Sequence, residues 1–216
     1  MLIYWRGLTC FQIDSKKPQQ EEVTFFINPF SELRGKSGSK TFRARVVALS
    51  GTGNEYLTDA QAFSNPFFID IPGEYEIGEI FIDAISAPRK QDMASSHLIF
   101  YSEIEELRIA HLGLLDRNLN DHELSCLKNI DILFIPVGGG VAMTPEIATE
   151  VIGQIEPRVV IPMMYATPTF QNSLLPLNAF CKELGIICPQ PQVSYKVGRK
   201  DLPEEEMQVV VLSPSV

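Results

Sequence analysis

Short runs of apolar and aromatic residues alternate with polar turn residues along the first half of the chain. Runs rich in Val, Ile, Phe and Tyr that end at Gly, Pro, Asn or Asp are typical of β-strands. We predict strands at residues 2–6, 10–14, 23–28, 42–50, 66–71, 79–86, 97–105 and 107–113. The polar segments 15–20 and 34–40 are predicted to be turns.

The second half alternates between helical and strand patterns. Helices are predicted from Thr144 to about residue 156 and at residues 119–128 and 176–184, and strands at 130–137, 158–163, 193–197 and 207–212. Thr144 is a good N-cap, and Pro145 suits the first helical turn, where a missing N–H costs nothing. The strand–helix–strand order around this helix predicts two parallel strands with the helix covering one face.

These patterns together predict a single α+β domain over residues 1–216, with sheets faced by helices. The composition, 45% apolar and 21% charged, is ordinary for a globular protein. The net charge of -9 argues against a nucleic-acid partner, which needs a basic face. No signal-peptide pattern and no apolar stretch near the ~20 residues of a membrane span are present, so we expect a cytoplasmic protein without a membrane partner.

The four cysteines form no CxxC motif, and in a chain of this size their even number does not indicate a disulfide framework. Cys181 and Cys188 could be neighbours around a turn at Gly185. Buried thiols are nevertheless the expected state of both residues.

A Gly-rich loop follows the apolar run VVAL at residues 46–49, in a position that often holds phosphates or metals. The loop, SGTGNEY, lacks the third glycine of GxGxxG, has no Lys-Ser/Thr ending and precedes no helical pattern, which argues against a phosphate cradle. The run Gly138–Gly140 is a better anion site because a helix start follows it, but three glycines alone favour a flexible connection between a strand and a helix.

Several segments in order resemble the metallo-β-lactamase superfamily, in its branch of small bacterial metal-dependent hydrolases. They are IYWRGLTCFQI, FFINPF, VVALSGTGNEY, PGEYEIGEIFIDAI, LRIAHLGLL, IDILFIPVGGG, TPEIATEVIGQIEPRVVIPMMY and DLPEEEMQVVVL. The resemblance runs nearly end to end. It implies a four-layer α/β/β/α sandwich with a metal site at one edge between the sheets.

The resemblance also implies where metal ligands would lie. In such hydrolases an HxHxDH loop, a further His, an Asp after an "LG" strand end and a His in a "PMHY"-like segment bind ions that activate water. These positions carry other residues in this chain, namely Gly51, Gly53, Glu55, Tyr56, Arg89, Leu114 and Met164. The resemblance further places Thr9 in the usual "GHS" and Asn28 at the Asp of "DPF".

Only Glu55 of these residues could bind a hard metal, and one carboxylate on a loop holds no zinc. The resemblance therefore predicts a pseudoenzyme without metal or other cofactor, which binds a small anionic ligand or a protein. The alternative is a metal-dependent hydrolase, phosphodiesterase- or lactonase-like, with atypical ligands. A third hypothesis is an enzyme of different chemistry that uses Arg89, Tyr56 and His111.

Four residues are the candidates for ligand binding in the vestigial site. Arg89, together with its neighbour Lys90, would attract an anion, Tyr56 and Tyr165 could stack or hydrogen-bond with it, and His111 lies just before the Leu114 position. His97 is expected to be structural, and His122 with Cys126, spaced i, i+4, lacks a second ligand pair for zinc. Apolar residues such as Phe170, Leu174 and Leu175 suggest an interface and a homo-oligomer.

Overall fold

The computed structural model describes residues 1–15, 22–30, 33, 41–51, 62–93, 96–169 and 173–215. The turn predicted at residues 34–40 and nearly all of that at 15–20 lie outside these residues. The elements in chain order are β1 (Leu2–Gly7), β2 (Cys10–Ser15), β3 (Val23–Ile27), β4 (Val46–Ala48), β5 (Phe67–Ile69), β6 (Gly73–Ile77), β7 (Ile80–Ser86), β8 (Leu98–Ile104), β9 (Leu107–His111), α1 (Asp121–Cys126), β10 (Ile132–Pro136), α2 (Pro145–Ile155), β11 (Val159–Met163), α3 (Leu177–Glu183), β12 (Tyr195–Lys196) and β13 (Gln208–Val209).

The strands form two mixed sheets. The first has the order β12-β1-β2-β3-β4-β5, antiparallel through β3 and parallel from β3 to β5. The second has the order β13-β11-β10-β9-β8-β7-β6, in which β9, β10, β11 and β13 run parallel and β6 to β9 antiparallel. Parallel neighbouring strands have their carboxyl ends at the same edge of a sheet. Both sheets contain such strands, β3 to β5 in the first and β9, β10, β11 and β13 in the second.

The strand–helix–strand prediction is confirmed around α2. β10 and β11 pair in parallel, with Ile132 opposite Val159 and Pro136 opposite Met163. The Thr144 side chain accepts a hydrogen bond from the Ile147 N–H, and Pro145 occupies the first turn. Both strands are buried along their whole length because the other sheet covers one face and the helices cover the other.

Alternate residues of the first sheet enter two different apolar clusters. Phe25, Ile27 and Val46 belong to the large core that the two sheets share with the helices. Phe26 and Val47 point the opposite way, into a smaller cluster with Phe30, Leu33, Ala44, Phe63, Leu114 and Met164. This alternation is the period of a strand buried on both faces, and it agrees with the metallo-β-lactamase sandwich that the resemblance implied.

Two details correct the sequence-based picture. The strand β6 was not predicted, because its GEYEI sequence carries two exposed glutamates and it lies at the edge of the second sheet. Cys181 and Cys188 were predicted to be thiols but form a disulfide, with their Cα atoms 5.5 Å apart across the turn at the end of α3. None of the helices in the described part of the chain is long and apolar enough to cross a membrane.

Candidate functional site

A cleft opens beside the loops that leave the carboxyl ends of β9, β10 and β11. Its volume is about 630 Å³, which lies in the range of sites for small molecules. The described residues that line it are mostly apolar: Leu8, Thr9, Asn28, Phe30, Arg89, Leu114, Gly140, Val141, Met164, Ser173 and Leu174. The cleft therefore offers a hydrocarbon surface with few polar groups.

Three of the predicted metal-site positions meet in this cleft. Arg89, Leu114 and Met164 all line it, although they are far apart in the sequence. Gly51 directly follows Ser50 and is not among the lining residues. Gly53, Glu55 and Tyr56 lie outside the described residues.

Leu114 and Met164 belong to the small apolar cluster behind the cleft. Leu114 is 8% exposed and Met164 is 7% exposed. Neither side chain carries a nitrogen or oxygen, and the Met164 N–H donates to the Leu8 carbonyl at 3.3 Å. These two positions therefore contribute packing to the cleft wall.

His97 fixes the loop that carries Leu114. Its Nδ1 lies 3.0 Å from the Ala87 carbonyl, which can only accept, so Nδ1 bears the proton. Its Nε2 accepts a hydrogen bond from the Leu114 N–H at 3.0 Å. Burial lowers the pKa of His97 to about 4, and the ring is neutral near pH 7. The structural role expected for His97 agrees with these bonds.

His111 lies behind the cleft and does not line it. Its Nε2 donates to the Thr9 carbonyl at 2.9 Å, and its Nδ1 accepts from the Gly113 N–H at 3.1 Å. Complete burial lowers the pKa of His111 to about 3. Both nitrogens are thus engaged by main chain, and the ligand-binding role of His111 stays a prediction that this geometry does not favour.

Ser50, which lies close to Gly113, forms a second buried polar network with Asn28. The Asn28 Nδ2 donates to Ser50 Oγ at 2.9 Å, and the Ser50 N–H donates to Asn28 Oδ1 at 2.7 Å. The Ser50 carbonyl accepts from the Leu98 N–H at 2.8 Å, which joins the end of β4 to the start of β8. Every member is buried and bonded, so the network holds the two sheets together behind the cleft.

Gly113 sits where this network is most crowded. A Cβ atom there would lie 2.6 Å from both His97 Nε2 and Ser50 Oγ, and the residue has a φ of +57°. Only glycine satisfies both constraints without a shift of its neighbours. The backbone N–H groups that hold the two histidines therefore depend on this residue.

The described residues do not fit a zinc or di-iron site at the cleft. Among them, no group of three or more His, Cys, Asp or Glu side chains is close enough to hold a metal ion. The carboxylate of Asp116, near the cleft, accepts the Lys90 and Gln91 N–H groups at 2.6 and 2.9 Å. The two nearby histidines are bonded to main chain as described above, so the donor atoms that a metal needs are engaged elsewhere.

Hydrogen bonds to other segments of the chain hold Arg89 and the loop that carries it. Its Nη2 donates to the Val141 carbonyl, and the Gln91 Nε2 donates to the Gly140 carbonyl at 3.0 Å. The Arg117 Nε donates to the Pro88 carbonyl at 2.8 Å on the other side. Together with the Asp116 contacts, these bonds attach the loop 88–91 to residues 140–141 on one side and to residues 116–117 on the other.

Tyr165 and the run Gly138–Gly140 make contacts within the fold. The Tyr165 hydroxyl donates to the Leu212 carbonyl at 3.2 Å, and its ring packs on Trp5 with centroids 4.9 Å apart. It does not line the cleft, so its ligand-binding role stays a prediction. The Gly139 N–H donates to the Met143 carbonyl at 2.8 Å, which closes a turn and leaves this donor engaged.

The two buried histidines make the stability of the fold depend on pH. Both folded-state pKa values lie below the ordinary 6.5, so the neutral rings stabilise the fold. This contribution is complete above about pH 6.5 and is lost as the pH falls towards 4, since the unfolded chain then binds more protons. Between about pH 7.5 and 5 we expect a loss of about 2 kcal/mol for each histidine.

Urea unfolding at the two pH values measures this loss, and carboxylates of ordinary pKa contribute little above pH 5. His111→Gln should be less stable at both pH values but should lose less on acidification than the wild type. His122→Gln, at an exposed position on α1, is the control and should keep the wild-type pH dependence. Equal stability of the wild type at both pH values would contradict the assignment of two neutral buried rings.

Comparison with known families agrees with this architecture. Residues 2–164 match the model of the β-lactamase superfamily domain. The chain therefore belongs to this family, and the resemblance to the metallo-β-lactamase superfamily is confirmed. A UPF0173 protein of Pyrococcus abyssi is 27% identical over 185 residues, which cover 77% of this chain and 84% of that relative.

Solved structures show the same fold over nearly the whole chain. A candidate zinc-dependent hydrolase of the metallo-β-lactamase superfamily from Thermotoga maritima is 25% identical, with a TM-score of 0.78 and 98% coverage of both chains. Igni18, a metallo hydrolase from Ignicoccus hospitalis, is 17% identical, with a TM-score of 0.62 and coverage of 91% of this chain and 98% of its own. The α+β sandwich predicted from the sequence is confirmed.

Several residues of the cleft gave no signal in the sequence. Val141 and Ser173 line it but belong to no motif. Asp116 was not singled out either, although it fixes the Arg89 loop. Its position two residues after Leu114, in a segment that the resemblance placed beside the site, is the one feature that could have drawn attention to it.

Proposed function

We propose that this metallo-β-lactamase-fold protein uses no metal ion and that its cleft binds a ligand without catalysis. The observation that carries the proposal is the set of cleft side chains at three positions where the resemblance places metal ligands, namely Arg89, Leu114 and Met164. A guanidinium repels a divalent cation, and leucine and methionine supply no hard donor atoms. The cleft itself persists with a volume suited to a small molecule.

The engagement of the polar groups nearby supports the same proposal. An activated water needs a metal or a general base with a free lone pair. The unprotonated ring nitrogen of His97 and that of His111 each accept a hydrogen bond from a backbone N–H. The two carboxylate oxygens of Asp116 also accept hydrogen bonds from backbone N–H groups. These groups act as supports for loops, which is consistent with binding, and none of the three is free to serve as a base for hydrolysis.

The second candidate function is a metal-dependent hydrolase with ligands at other positions. It is favoured by the hydrolase class assigned to the Thermotoga maritima and Ignicoccus hospitalis proteins, which share the fold. Activity assays separate the two functions. Purified protein should show no turnover of phosphodiester, lactone or β-lactam substrates above background, with or without added Zn²⁺, Mn²⁺ or Fe²⁺. Turnover that appears with one of these ions and disappears with EDTA would overturn the proposal.

A further inference from the structure

The guanidinium of Arg89 has no acidic partner in the described part of the chain. No ion pair there includes it, and the one hydrogen bond that it makes to another described residue is from Nη2 to the Val141 carbonyl. Its Nε is buried and has no hydrogen-bond partner among the described residues. Buried donors are nearly always bonded. The side chain that carries this unpartnered donor lines the cleft, where a ligand could supply an acceptor to the guanidinium.

The walls around this cation are apolar. Leu8, Phe30, Leu114, Met164 and Leu174 line the cleft together with Val141, which is 49% exposed at its mouth. Thr9, Asn28 and Ser173 are the polar lining residues without charge. The described lining thus combines one positive charge with a hydrocarbon surface and contains no carboxylate.

We propose that the cleft binds a monocarboxylate with an apolar tail, whose carboxylate pairs with Arg89 and whose tail packs on the leucine and methionine wall. This inference rests on the metal-free cleft of the proposed function. Arginine binds carboxylates through paired N–H donors, and a guanidinium already bonded to the Val141 carbonyl loses little freedom on binding. The tail gains from the removal of apolar surface from water.

A single negative charge fits this site better than a phosphate dianion. Arg89 is the one cationic residue in the described lining, since the neighbouring Lys90 is exposed and does not line the cleft. The carboxylate of Asp116 also lies next to the loop that carries Arg89, because it accepts hydrogen bonds from the Lys90 and Gln91 N–H groups. A second negative charge on the ligand would meet no further cation in the described lining and would lie near this carboxylate.

Isothermal titration calorimetry with sodium decanoate below its micelle concentration tests the proposal. Decanoate should bind at one site per chain, and decanol and decylamine should bind at least about tenfold more weakly, which corresponds to about 1.4 kcal/mol or more. Acetate and inorganic phosphate should give no detectable binding, because they lack the tail. Equal binding of decanoate, decanol and decylamine would overturn the assignment of Arg89 as the anchor.

Two matched variants locate the site. Arg89→Met keeps an unbranched side chain but removes the charge, and should weaken decanoate binding at least about tenfold. Lys90→Met removes a positive charge one residue away, outside the cleft, and should bind decanoate within about twofold of the wild type. Equal losses in both variants would show that overall charge, and not the cleft, attracts the ligand.

A third variant keeps the test decisive if Arg89→Met fails to fold. Leu174→Asp places a carboxylate on the partly exposed edge of the cleft and should abolish decanoate binding while the thermal unfolding transition survives. Unchanged binding in this variant would overturn the proposal. Decanoate binding that EDTA abolishes would mean that a metal ion holds the carboxylate, and would overturn the proposed function as well. No decanoate binding in a protein free of metal would overturn this inference alone.

Discussion

Replacement of Gly138 by alanine is expected to destabilise the protein by about 3 kcal/mol or more, the upper range for overpacking of a tight interior. An alanine Cβ would lie 2.0 Å from the Met164 carbonyl oxygen and 2.9 Å from the Tyr165 Cα. These are backbone atoms, so relief requires the end of β10 to separate from the end of β11. Because Met164 also lines the cleft, the same movement should disturb the site.

Urea unfolding followed by circular dichroism measures this effect, with Gly153→Ala as the control. Gly153 lies in α2, and an added Cβ would meet no heavy atom within 4 Å. Alanine exceeds glycine in helix propensity, so this variant should be more stable than the wild type by about 0.5 to 1 kcal/mol. If the free energy of unfolding of Gly138→Ala lies within about 0.5 kcal/mol of the wild-type value, the ends of β10 and β11 are not this close.

Replacement of Gly113 by alanine should have the second largest effect, about 2 to 5 kcal/mol. The left-handed conformation at φ +57° costs a residue with a side chain about 1 to 2 kcal/mol. Contact at 2.6 Å with His97 Nε2 and Ser50 Oγ adds about 1 to 3 kcal/mol of overpacking. The displaced His97 would also lose its bond to the Leu114 N–H, so the wall of the cleft should shift.

Gly185→Ala separates these two contributions. Gly185 has a φ of +73°, and a Cβ added there would meet no heavy atom within 4 Å, so only the backbone conformation contributes. Its destabilisation, measured by the same urea unfolding, should therefore be about 1 to 2 kcal/mol. Equal losses for Gly113→Ala and Gly185→Ala would mean that the packing of Gly113 against His97 and Ser50 contributes nothing.

The parts of the fold that follow from local sequence could be predicted. The runs in β10 and β11 are apolar at every position, and Thr144-Pro145 marks the helix start between them, so both strands and their parallel pairing could be derived. The edge strand β6 could not, because its alternate glutamates face solvent and its apolar content is low. The Cys181–Cys188 disulfide could not be deduced either, since it depends on the course of the turn after α3.

The candidate site was predictable in position but not in detail. The resemblance placed Arg89, Leu114 and Met164 in one site, and the structure brings them together. The partners of the histidines are contacts that no local pattern encodes, because Thr9 lies 102 residues from His111 and Leu114 lies 17 residues from His97. The attachment of the Arg89 loop to Asp116 and Val141 is equally non-local, and it is what gives the arginine its fixed position.

The central claim is that the cleft of this metallo-β-lactamase-fold protein works without a metal ion. Elemental analysis of protein purified without chelator and without a metal-affinity tag tests it most directly. We expect well under one equivalent of Zn, Mn and Fe per chain after dialysis. One or two equivalents that survive dialysis and are released by a strong chelator would contradict the claim and favour a hydrolase with atypical ligands.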